Sequence, residues 1–161
     1  MYHFPKDLYA DVRIEESYSL WLGVRNGELE SDGQITESGA FIRVFDGKMW
    51  FTASTNNLDE IQKELDNLAT LATPNPEIME NPVVKRLQVN QSEDLLFERT
   101  GDVRKISRNE WKEMLDGYIS ACIEEGIEEI TTWGAYVNCE YKKKSFFSGK
   151  GARIMQDMQN C

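Results

Sequence analysis

Histidine is almost missing from this sequence: His3 is the only one among 161 residues. A catalytic zinc takes about three protein ligands, and those are His, Cys or carboxylate. No His-Glu-x-x-His segment or related paired-histidine helix is present. The same scarcity removes the base that a Ser or Cys nucleophile normally uses. Cysteine is sparse too. Cys122, Cys139 and Cys161 are odd in number and widely spaced, which predicts reduced thiols rather than a disulfide framework. Cys122 and Cys139 are expected to fill the core, and the role of Cys161 is open. Long apolar runs are absent, and none approaches the roughly 20 residues that span a bilayer. The start, Met1 to Asp7, has no basic stretch followed by an apolar one and so is not a signal peptide. A cytoplasmic protein without a membrane partner is expected. Positive charge is short: 18 Lys and Arg face 28 Asp and Glu, for a net charge of −10. That balance repels phosphate backbones, so no nucleic-acid partner is expected.

Local candidates for chemistry resolve into ordinary features. The basic run Lys142-Lys143-Lys144 lies between apolar segments and reads as a solvated turn. A carboxylate dyad stays open because acids are plentiful. The adjacent pairs Glu15-Glu16, Glu124-Glu125 and Glu128-Glu129, however, read as acidic surface. Ser148-Gly149-Lys150-Gly151 lacks Walker spacing and precedes a strand, so it is a turn and not a phosphate cradle. Trp21, Trp50, Trp111 and Trp133 are expected to face a core. They are not interleaved with basic residues as a base-stacking platform would be. Exposed sheet edges offer a generic site for strand addition by an extended peptide.

The chain also carries much positive pattern. Its length suits one moderate domain, or a small domain and part of another. Val12 and Ile14 alternate with Asp11, Arg13 and Glu15 over Ala10 to Glu16, the period of a half-buried strand. Leu20, Leu22 and Val24 predict a second strand, closed by the turn dipeptide Asn26-Gly27. Leu29 to Thr36 is a weak, edge-like strand. Gly39 to Phe45, the turn Asp46-Gly47 and Met49 to Ser54 predict a hairpin. Asn57 and Glu60 then form a capping pair for a helix with Leu58, Ile61, Leu65 and Leu68 on one face. It ends near Thr73, before Pro74 and Pro76. Residues 74–92 read as an irregular connector. A second helix opens at Ser107 and Glu110, with a stripe of Trp111, Met114, Leu115, Tyr118, Ile119, Cys122 and Ile123, and stops at Gly126. Strands follow over Glu129 to Tyr141 and Ala152 to Met158, with Ser145 to Ser148 short and apolar between them. The fold class is α+β, an antiparallel strand meander packed with amphipathic helices. The division is residues 1–73, a connector over 74–92, and 93–161.

Five segments in order resemble the TldD/PmbA family of metallopeptidases. They are Ala10-Asp11-Val12-Arg13-Ile14-Glu15, Asn26-Gly27-Glu28-Leu29-Glu30, Gly39 through Lys48, Phe51 to Asn56, and Lys144 through Ala152. The signature positions are Asp11, Arg13, Gly27, Gly39, Arg43, Asp46, Gly47, Ser148 and Gly151, all taken as structural. Gly149 stands where a serine is more usual. Arg43 by itself reads as a surface or cross-strand charge.

The resemblance implies an amino-terminal domain and the start of a middle region. It implies a dimeric peptidase, homo- or hetero-, acting on peptides and unfolded segments. Zinc would be held by a His-Glu-x-x-x-His helix, polarising the carbonyl and activating water. None of those ligand positions exists in this sequence, so no catalytic or metal residue carries over and no cofactor is expected in this chain. The family commonly begins with a helix that has little room here, and the sequence stops where the middle region should begin. Two readings follow: an incomplete TldD/PmbA-type protein, inactive alone, or a stand-alone non-catalytic module that binds a peptide or a partner.

Overall fold

The computed structural model describes residues 2–87, 101–124 and 131–161. Its strands are β1 (Tyr9–Arg25), β2 (Glu28–Phe45), β3 (Trp50–Thr55), β4 (Gly134–Ser148) and β5 (Arg153–Asn160). Its helices are α1 (Ile61–Leu71), α2 (Pro82–Arg86) and α3 (Arg108–Glu124), with single 3-10 turns at Leu58–Glu60, Ile78–Glu80 and Val103–Lys105. The strands form one antiparallel sheet in the order β3-β2-β1-β4-β5, which with the helices gives the expected α+β class. In the β2–β3 hairpin, Phe45 lies opposite Trp50 and Ala40 opposite Thr55.

Several elements are longer than expected. The segments 10–16 and 20–24 are one strand, β1, and 29–36 and 39–45 are one strand, β2. Nothing in Ser17-Tyr18-Ser19 forces a positive φ, so the extended backbone simply continues. The true turn is at Asn26 and Gly27, with φ of 47° and 83°. Both angles are positive, the requirement of the tightest hairpin turn. The basic run Lys142-Lys143-Lys144 is not a turn but the middle of β4. Its charges are held across strands, with Lys143 3.5 Å from Glu16 and Lys144 3.5 Å from Glu15.

The chain forms two compact units that share these strands. The first comprises residues 1–16, 38–97 and 143–157, and the second 17–37, 98–142 and 158–161. In the first unit α1 lays Ile61, Leu65 and Leu68 on Val12, Ala40, Ile42 and Val44. Each such side chain contributes about 1.5–3 kcal/mol on burial. Asn57 starts the helix, accepting a bond from the Asp59 amide at 3.2 Å. Glu60 makes no capping bond with its side chain. On the opposite sheet face Tyr9, Phe45, Ile78 and Val84 form a smaller cluster. The expected irregular connector is thus partly ordered: α2 and the 3-10 turn before it bury Ile78 and Val84. Residues 88–92 of it lie outside the described residues. His3, expected at a loose terminus, has its backbone amide and carbonyl bonded to the Gln62 side chain.

In the second unit Leu20, Leu22, Val24, Val137, Cys139 and Tyr141 pack with Trp111 and Leu115 of α3. Ser107 and Glu110 do form the reciprocal cap, at 2.7 and 3.3 Å. The apolar stripe of α3 is narrower than the sequence suggests, because Met114, Tyr118 and Cys122 are exposed. The side chain of Ile123, the stop at Gly126 and the first two residues of the expected 129–141 strand lie outside the described residues. Trp21, expected inside, is 40% exposed. The cysteines also depart from expectation. Cys139 is bonded to Cys161 with Cα atoms 4.2 Å apart, because the adjacent strands β4 and β5 set them side by side. Only Cys122 is free among the described residues.

Candidate functional site

The alternation along β1 assigns Asp11 to a solvent face, yet its side chain is completely buried. Tyr9, Arg43, Phe45 and Trp50 enclose it on that face of the first unit. Arg43, two strand positions from Phe45, directs its guanidinium fork at Asp11. Nε donates to Oδ1 at 2.9 Å and a terminal nitrogen donates to Oδ2 at 2.5 Å. The Tyr9 hydroxyl donates to the same Oδ2 at 3.1 Å. The Arg43 guanidinium lies 4.6 Å over the Trp50 ring. Trp50 stacks on Phe45 at 4.6 Å and meets Tyr9 edge-on at 5.9 Å. Arg43 is therefore the cross-strand charge of its two sequence readings.

The electrostatics follow from the enclosure. Burial pushes the Tyr9 phenol well up, and the Asp11 carboxylate adds to that. The hydrogen bonds to Asp11 hold Arg43 charged against its own desolvation. A two-pronged Arg–carboxylate pair is both strong and directional. Its two oxygens already receive three donors and the phenol keeps its proton. The cluster is suited to locking β1 to β2 and not to moving protons. Sequence reasoning named Asp11 and Arg43 but missed Tyr9 and Trp50. An Asp and an Arg on the outward face of two strands was the available signal.

The other signature residues serve turns and contacts. Asp46 accepts from the amides of Lys48 and Met49, each at 2.8 Å. The Met49 and Lys48 amides hold its carboxyl below the usual range. Gly47 has φ of 100°, and a side chain there would meet the Asn75 amide at 2.9 Å. Gly39 lies beside the Asn56 side chain, and Gly27 forms the turn of the second unit. Ser148 is buried and its hydroxyl accepts from the Ala152 amide at 3.2 Å, closing the turn in which Gly151 has φ of 93°. Lys150 of that turn donates to the carbonyls of Val84 and Leu87 at 2.8 and 2.7 Å. It thereby satisfies the open end of α2. Arg13 stacks over Phe146 at 5.6 Å.

Two concavities flank β5 in the first unit. One, of about 740 Å³, is lined by Ile14, Leu58, Phe147, Arg153 and Met155, with Tyr2 and Phe4 beside them. The other, of about 460 Å³, is lined by Arg13, Glu15, Lys144, Phe146, Ile154 and Gln156. Among the described residues no three His, Cys, Asp or Glu side chains gather as a metal site would require. No helix among them is long and apolar enough to cross a membrane.

Residues 10–72 match the family model described as PmbA/TldA metallopeptidase domain 1. Solved structures similar to the chain include a candidate modulator of a DNA gyrase from Thermotoga maritima, 16% identical with a TM-score of 0.67. The alignment covers 94% of this chain and 34% of that one. TldE from Thermococcus kodakarensis is 11% identical with a TM-score of 0.57, over 94% of this chain and 34% of its own. A candidate modulator of DNA gyrase from Bacteroides thetaiotaomicron is 15% identical with a TM-score of 0.54, over 94% and 35%. The chain thus spans about a third of the length of these relatives. No curated protein matches the sequence.

Proposed function

Residues 10–72 belong to the first-domain family of the PmbA/TldD metallopeptidases, and from that premise we propose that this chain is the amino-terminal portion of a TldD/PmbA-type zinc metallopeptidase. The observation that carries the reading is the family match together with a fold alignment spanning nearly the whole chain but a third of each relative. In this reading the chain supplies scaffold, dimer surface and a wall of the substrate space. Peptide hydrolysis and zinc belong to residues beyond it, since its one histidine, His3, has no partner for a paired-histidine motif. The dimer is formed with a second copy or another family member, and the peptide substrate meets the assembled protein. The cytoplasmic location is part of the same proposal, and the Cys139–Cys161 bond is the feature that tests it. Alkylation and mass analysis of protein drawn from cells should find that pair reduced.

The reading frame beyond the Cys161 codon decides the main point. It should continue into a His-Glu-x-x-x-His segment, and the longer product should hold zinc and cleave casein in a chelator-sensitive way. The 161-residue chain should do neither. One zinc per 161-residue chain, with chelator-sensitive cleavage, would overturn the proposal. A stop codon after Cys161 and a folded, monodisperse chain would favour the stand-alone binding module. The paired concavities at β5 give that second reading its foothold.

A further inference from the structure

The Cys139–Cys161 bond lies wholly in the second unit, and so does a segment seated beside it. Gln159, at the same end of β5 as Cys161, grips that segment with its side-chain amide. Its Nε2 donates to the Gly101 carbonyl at 2.9 Å, and its Oε1 accepts from the Val103 amide at 3.4 Å. Val103 is buried in the cluster that holds Cys139, Tyr141, Trp111 and Leu115. The next residue, Arg104, sets its guanidinium 3.8 Å over the Tyr141 ring. The approach to α3 is thus held on β4 through Val103 and Arg104, and on the end of β5 through Gln159. Burial secures the β4 side, where Cys139 and Tyr141 belong to the core. It does little for the β5 side, where none of residues 158–161 is buried. Segments with few buried apolar contacts open at low free-energy cost. The bond from Cys161 to the buried Cys139 is a covalent tie against that opening.

Such a tie is reversible where a thiolate can reach it. Disulfide exchange requires access to a sulfur, and exposed disulfides are the labile ones. Cys161 is exposed whereas Cys139 is sealed in the core, so attack falls on Cys161. We infer that Cys139 and Cys161 form a redox-operated clasp, which locks the 101–105 segment when oxidised and releases it when reduced. The chemistry balances with glutathione. A glutathione thiolate attacks the Cys161 sulfur, the S–S bond breaks, and Cys139 leaves as a thiolate that takes up a proton. A second glutathione thiolate attacks the glutathione sulfur of the mixed disulfide. Cys161 leaves, takes up a proton, and glutathione disulfide departs. Two electrons have then passed from two glutathiones to the protein, and the reverse sequence closes the clasp with glutathione disulfide as oxidant. The compartment proposed above sets only the resting state: in a reducing cytoplasm the clasp stands open, and it closes when glutathione disulfide accumulates.

The test uses the 161-residue chain carrying Cys122→Ser, which removes the exposed free thiol and with it disulfide-linked dimers. The chain is equilibrated across mixtures of glutathione and glutathione disulfide. Alkylation and mass analysis read the state of the pair, and NMR follows amide hydrogen exchange in the same samples. The pair should pass reversibly between dithiol and disulfide. The Val103 amide should exchange roughly tenfold faster or more in the dithiol form, as a locally opened segment does. The β2–β3 hairpin of the first unit should keep its rates in both forms. Cys161→Ser should give the fast Val103 rate in every mixture. Gln159→Ala leaves both sulfurs in place and should give the fast rate in both forms, which keeps the test sound if Cys161→Ser fails to fold. A Val103 rate that ignores the state of the pair, or a slow rate in Gln159→Ala, would overturn the inference. So would a pair that never changes state across the mixtures, or an acceleration spread evenly over both units, which marks a general staple. None of these readouts involves zinc or cleavage, so failure here is distinct from failure of the peptidase reading.

Discussion

A carboxylate sealed from water needs its counter-charge at a fixed distance, and Asp11 has one in Arg43. Removing one member of such a pair leaves an uncompensated buried charge, which costs about 3–5 kcal/mol. Arg43→Met should therefore destabilise the chain by about that much in urea unfolding. Asp11→Leu with Arg43→Met should recover most of the loss, because two apolar groups of similar size replace a paired charge. A double variant no more stable than Arg43→Met would show that the pair is not what holds this face together. The family resemblance set both residues among nine signature positions but did not show that they meet. Alternation placed Asp11 outward, and only the covering of that face by Trp50 and α2 turns outward into inward. A second carboxylate makes a pH prediction. Arg104 forks onto Asp102 with both contacts at 2.9 Å. Those bonds, aided by the Arg104 amide, hold the Asp102 carboxyl at about 2, below its ordinary 3.8. A group depressed in the folded state stabilises it fully above its unfolded pKa. That contribution is lost as pH falls from about 4 toward 2. Carbon-detected NMR should find Asp102 titrating near the lower value, and a midpoint near 4 would show the fork is open in solution.

Elements with local signals were legible in the sequence, and those fixed by distant neighbours were not. The Ser107–Glu110 cap and the Asn26-Gly27 turn depend on residues three or fewer apart, so composition alone places them. The course of β4 through Lys142-Lys143-Lys144 depends on Glu15 and Glu16, more than a hundred positions away, and no local rule anticipates it. The Cys139–Cys161 bond is of the same kind, since sequence spacing does not show that β4 and β5 are neighbours. It closes a separation of 22 residues. Constraining an unfolded loop of that length is worth about 3 kcal/mol by chain entropy. Cys161→Ser should lower the urea midpoint by a corresponding amount. Added reductant should lower the parent to the same value and leave the variant unmoved. Equal midpoints for parent and variant without reductant would mean the two sulfurs are not joined.

At the scale of the whole molecule, charge separates partners that the fold leaves open. Two of the structures that share this fold are described as candidate modulators of DNA gyrase, and a fold by itself licenses many functions. We propose that this chain makes no contact with DNA. Its acidic excess is 10 charges, whereas DNA-binding surfaces gain affinity by releasing counterions through clustered Lys and Arg. The densest basic run, Lys142 to Lys144, is already engaged: Lys142 with Glu140, Lys143 with Glu16 and Lys144 with Glu15. A duplex needs a continuous basic stripe. A 20-base-pair duplex should therefore show no mobility shift with the chain at micromolar concentration and roughly 50 mM salt, a condition that favours any phosphate contact. A duplex that shifts there and releases with a steep salt dependence would place a phosphate-binding surface on the molecule that net charge conceals.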